Sequence, residues 1–176
     1  MTTAAVASLV VRCGLVLLFL PFSAIDKVFD FDHAVGQAQE VFKARALAIA
    51  TVLVGLAIEV FMSLGVVTGI ADRACGLMIA GYCVATAVLF KRFWAQGDFW
   101  ANPDGKGRTL FWDFLKNLSL AAGFLLIAVG TDGSGLRPFL DHPLASSHPY
   151  AQKEGKRVQT SANSVQDIDA TRPSDR

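Results

Sequence analysis

Four stretches of mostly apolar residues, at approximately 6–25, 46–70, 74–90 and 109–130, limit what this chain can fold into. A helix crosses a bilayer's hydrocarbon core with about 20 such residues. In all four the apolar side chains occupy every face of the helix, which excludes surface helices of a water-soluble domain. The third is short, and Lys91 and Arg92 complete the crossing by reaching toward the headgroups. Short connections make neighbouring spans antiparallel. The expected fold is therefore an all-α membrane protein, an antiparallel four-transmembrane-helix bundle with the lipid bilayer as its first partner. Composition agrees: 18% of residues are charged, against roughly 25% in a soluble domain.

The charges are also unevenly placed. Residues 1–130 hold ten Lys/Arg and nine Asp/Glu among long apolar runs, while residues 131–176 hold six of each and almost no apolar run. We expect a membrane domain over 1–144 and a polar, disordered tail over 145–176. A net charge of +1 leaves no basic face for nucleic acid. The first span has a rival reading as a cleaved signal peptide, with Arg12 in the n-region and Pro-Phe-Ser-Ala at 21–24 as a cleavage site. Apolar residues before Arg12 make the stretch long enough to span, and that reading is preferred.

Between the first two spans, Val28, Phe29, Phe31, Val35, Val41 and Phe42 form a partial helical stripe, which predicts a short interfacial helix. Ala71–Arg73 closes a tight hairpin between spans two and three. The loop 91–108 carries Phe93, Trp94, Phe99 and Trp100, suited to a headgroup belt. Lys27, Lys43, Arg45, Lys91, Arg92, Lys106 and Arg108 lie in the longer loops, against Arg73, Arg137 and Arg12 on the other side. This places the longer loops in the cytoplasm and both termini outside, in a bacterial cytoplasmic (inner) membrane.

Charges within spans cost from about 2.5 kcal/mol upward and generally face the bundle interior, paired. Here they are Arg12, Glu59, Asp113 and Lys116, with Asp26 and Lys27 at the end of the first span. At 1.5 Å per residue Arg12 lies about 9 Å, and Glu59 about 15 Å, from the termini's side, a difference within reach of an arginine side chain. A Lys116–Glu59 contact is more stretched. Asp113, Lys116 and Asn117 share a helix face. A polar track follows, with Arg12 and Glu59 in its middle and outer part and Asp113, Lys116, Asn117, Asp26 and Lys27 toward the loop side. The same groups also read as struts that hold the helices in register.

Cys13, Cys75 and Cys83 sit in apolar segments with no metal-type spacing. His33, His142 and His148 lie in loops or tail, so no haem ligand pair is expected at depth. No metal cluster, phosphate-binding loop or nucleophilic triad is expected either, and no intrinsic cofactor. Gly65 and Gly69 suggest a close helix approach.

Several of these pieces together resemble the DoxX family of small four-helix bacterial membrane proteins. They are Arg12 with LVLLFLPFSAIDKVFDF, then Glu59, Gly65, Gly69 and Arg73, ATAVLFKRFW at 85–94, Lys116-Asn117-Leu118, and a Gly-rich turn ending in Leu140-Asp141. LRPFLDHP departs from the family's Gly-Arg-Ser-Leu-Asp type of close. The resemblance implies links to quinone-dependent sulfur oxidation and to oxidative-stress complexes with soluble partner enzymes. It thus implies a subunit of a quinone-linked redox assembly that binds quinone or anchors a redox partner, with other subunits as partners. Glu59 would then carry protons, Lys116 and Asn117 would bond a quinone carbonyl, and Phe111, Trp112 and Phe114 would pack on its ring. The alternative is a structural or accessory subunit, an assembly factor or a small-solute carrier without electron chemistry.

Overall fold

A computed structural model describes residues 3–130 and 140–150, and within these the chain is helical without strands. Helix α1 (Thr3–Val16), a π-helical stretch at Leu18–Ser23 and α2 (Ala24–Phe29) form the first span. The short α3 (Phe31–Gln39) follows. The second span joins α4 (Arg45–Ala57), a π-helical stretch at Ile58–Met62 and α5 (Ser63–Thr68). Helix α6 (Asp72–Phe90) and α7 (Lys106–Val129) give the third and fourth. All four are long and apolar enough to cross a membrane, so this is a multi-pass membrane protein.

The first π stretch contains Pro21. Proline has no N–H and its ring crowds the carbonyl four residues back; a wider turn relieves that clash without breaking the rod. The second π stretch holds Glu59, and the two stretches touch each other. Such bulges recur at functional sites, because an extra residue in the turn re-aims side chains.

Gly69, at φ 79°, ends α5, and its N–H donates to the Gly65 carbonyl at 3.0 Å. This left-handed cap suits a residue without Cβ. Asp72 then opens α6, where the helix dipole favours a carboxylate.

The main core joins all four spans through Val16, Phe19, Val66, Ile79, Cys83 and Phe124. A second cluster seats Val35 and Ala38 of α3 on Ala48 and Val52 of α4, with Phe31 and Phe90 beside it. The short helix expected between the first two spans thus forms, and it packs on α4. Phe22, Phe61, Val54 and Ile70 are exposed, the arrangement lipid contact requires. Of the polar tail, residues 145–150 lie against the bundle through hydrogen bonds to Gly69, Asp72 and Val67. Arg137 and residues 151–176 lie outside the described residues.

Candidate functional site

Glu59 is 2% exposed, and three donors converge on one of its oxygens. Lys27 Nζ donates to Oε1 at 2.6 Å, Tyr82 Oη at 2.7 Å and Ser23 Oγ at 3.1 Å. Lys27 also donates to Ser23 Oγ at 2.6 Å, so the ammonium holds both the carboxylate and the hydroxyl that bonds it. A buried carboxylate is retained only with such pairing. The other oxygen, Oε2, is buried without a hydrogen-bond partner. That is an expensive state for a charged acceptor.

Glu59, Tyr82, Lys27 and Ser23 line a cavity of about 690 Å³, within the range of sites for small organic ligands. Its apolar walls come from Leu18, Leu47, Ala50 and Val54, and its loop-side end from Asp26, Asp30, His33 and Gln37. Thr86, Lys91 and Asn117 edge it on the side of α6 and α7. Glu59 therefore stands at the inner end of an amphipathic space with one acceptor oxygen unused. Chemically, this arrangement suits binding a hydrogen-bond donor or holding a proton. Among the described residues, no group of three or more His, Cys, Asp or Glu is placed to hold a metal ion.

The expected track is partly redrawn. Arg12 does not meet Glu59: its guanidinium pairs with Asp72 at 2.6 Å and donates to the Val66 carbonyl at 2.8 Å. Lys116 does not reach Glu59 either; it pairs with Asp113 at 3.3 Å, its side chain 72% exposed. The reason is directional. A Cα–Cβ bond tilts toward the N-terminus of its own helix. Arg12 therefore rises toward the termini's side, and Lys116 leans toward the loops. Lys27 leans inward along the first span while Glu59 leans toward the loop side along the second, so those two converge.

Asp113 is held by Lys91 as well, at 3.3 Å, and Asn117 donates to the Asp113 carbonyl at 3.0 Å while edging the cavity. Asp26 lines the loop-side end. Phe111 and Phe114 do not line the cavity. They pack edge-on around Phe93, at 5.1 and 5.5 Å between ring centres, with Trp94 and Phe99 in the same loop-side cluster. Trp112 packs against Phe111 at 5.7 Å.

Ser23, Tyr82 and Asp72 were not expected. Tyr82 had a signal, since a phenol at mid-span needs a hydrogen-bond partner. Asp72 had none while Ala71–Arg73 reads only as a turn. It is fully buried, with Ser147 donating to it through both its N–H (2.9 Å) and its hydroxyl. Arg12 donates to the same Ser147 hydroxyl at 3.2 Å.

Four apolar spans and a paired carboxylate sunk among them define a helical membrane protein built around a buried acid that opens onto a cavity. Residues 7–92, just under half of the chain, match the DoxX family model, and over those residues this membrane protein is DoxX-like. That match spans α1 to the end of α6, with Arg12, Lys27, Glu59 and Tyr82 inside it and Asp113, Lys116 and Asn117 beyond it. The chain is also similar to the inner membrane protein YphA of Escherichia coli (strain K12), at 26% identity over 126 residues, 72% of this chain and 84% of YphA. No solved structure matches.

Proposed function

We propose that this protein is a small subunit of a quinone-linked redox assembly in a bacterial inner membrane. Its cavity takes the ring of a quinone or quinol, and Glu59 handles the proton. The observation that carries this reading is Glu59 itself, a buried carboxylate held by three donors in the lining of the cavity. A quinone couple supplies two-electron chemistry when bound, and the electrons pass to or from another subunit.

The chain's own residues supply position and protons. A carboxylate accepts hydrogen bonds, and a carboxyl can donate one. Lys27, Tyr82 and Ser23 hold Oε1 and thereby fix the plane of the carboxylate. Lys27 also sets a positive charge against that carboxylate, 2.6 Å from Oε1. Asp26, Asp30 and His33 continue the polar lining to the loop side, which gives the proton a route to water. The basic residues of the longer loops favour the cytoplasm for that side. Similarity to an inner membrane protein supports the compartment.

An accessory role without electron chemistry is the second reading, favoured by the buried Arg12–Asp72 pair, which ties spans together away from the cavity. Purification in mild detergent followed by mass spectrometry of bound lipophiles and co-purifying proteins separates the two. The quinone reading expects near-stoichiometric quinone, lost in Glu59→Gln protein that still folds in the detergent. Protein that carries partner subunits but no quinone would support the accessory reading.

A further inference from the structure

The cavity's walls differ with depth, and the difference points to how its ligand enters. Leu18, Leu47 and Val54 line the cavity and are at the same time 49%, 51% and 59% exposed. Leu47, Ala50 and Val54 are spaced three and four apart, so they form one stripe on α4. Val54 lies nine residues beyond Arg45, which at 1.5 Å per residue is about 14 Å into the second span. Leu18 lies eleven residues before Phe29, about 16 Å into the first span from the same side. Both therefore sit near the middle of a hydrocarbon core about 30 Å thick. A wall residue that faces both the cavity and the outside at that depth borders an opening onto acyl chains, not onto water.

We infer that the cavity opens sideways into the bilayer between the first span and α4, and that its ligand is a bilayer-resident amphiphile. The polar head lies at the Glu59, Lys27 and Tyr82 end of the cavity, and the apolar tail passes out over Leu18, Ala50 and Val54. This rests on the reading of the cavity as a quinol site and adds the tail and the route. A freely water-soluble ligand would have no use for an apolar slot at mid-depth. A tail left in the bilayer keeps its apolar surface out of water throughout binding. The head alone then exchanges hydrogen bonds, and Glu59 supplies the acceptor.

Photolabelling of the full chain in nanodiscs of phosphatidylethanolamine and phosphatidylglycerol tests this. The probe is a benzoquinol with a decyl chain ending in a diazirine, competed by the unlabelled decyl quinol. The expected result is competable labelling at Leu18, Leu47, Ala50 or Val54, reduced at least about tenfold in Ala50→Trp, which fills the slot, and in Glu59→Gln, which removes the charged acceptor. Competable labelling confined to Asp30, His33 and Gln37 would overturn the lateral entrance while leaving the cavity as the quinol site. Labelling that unlabelled quinol does not compete at any position would overturn both.

Discussion

Glu59 concentrates three donors on one oxygen and leaves the other bare, and each neighbour can be removed separately. Lys27→Met strands a buried carboxylate, and breaking a buried pair costs about 3–5 kcal/mol; a large fall in Tm in detergent is expected, with much of it regained in Lys27→Met/Glu59→Gln. Tyr82→Phe removes a charge-assisted hydrogen bond at 2.7 Å, a loss of about 1.5–3 kcal/mol in the same scan. A methyl at Gly55 would lie 3.0 Å from the Tyr82 hydroxyl, tighter than ordinary contact. Gly55→Ala is therefore expected to push Tyr82 off Glu59 and to lower quinone retention more than stability. Retention unchanged in Gly55→Ala would mean that Tyr82 does not position the acid.

Helices approach where side chains are missing. On α6, a Cβ at Gly76 would lie 2.9 Å from the Phe124 carbonyl of α7, whereas one at Gly81 would meet nothing within 4 Å. Overpacking of this kind costs about 1–3 kcal/mol. Gly76→Ala is expected to lower Tm clearly, and Gly81→Ala to leave it level or raise it, since alanine is the better helix former. The existence of the four spans and of α3 was legible from hydropathy and stripe spacing. The two π stretches were not, because residue order alone does not show where an extra residue enters a turn. Pro21 marks one of them; nothing comparable marks the stretch around Glu59.

Two polar centres divide the whole molecule. Glu59 faces the cavity toward the loop side, and the Arg12–Asp72 pair closes the termini's side. Ser147 bonds both members of that pair, Ser146 donates to the Gly69 carbonyl and Tyr150 to the Val67 carbonyl. The segment thus straps the α5–α6 turn. Asp72→Ala leaves Arg12 buried without its countercharge, a loss of about 3–5 kcal/mol, and Arg12→Met/Asp72→Leu should recover most of it. Deleting residues 145–176 removes the strap's hydrogen bonds, and a loss of about 1–3 kcal/mol is expected in detergent unfolding. Quinone retention should survive that deletion, since the strap does not touch the cavity; its loss would couple the two centres.

Hydropathy alone determined that this chain is a four-span bundle, because each 20-residue apolar run has only one low-energy environment. It also determined that charges inside those runs must pair, since ionised groups in hydrocarbon are not tolerated singly. Which charges pair was decided by tertiary structure. Depth put Arg12 and Glu59 within reach of each other, but the tilt of each side chain along its own helix sent Arg12 to Asp72 and brought Lys27 to Glu59. Sequence distance carries no information about such directions across helices. Nor could it show that Ser23, Lys27 and Tyr82 all arrive at the same oxygen of Glu59 and leave the other, buried oxygen without a hydrogen-bond partner.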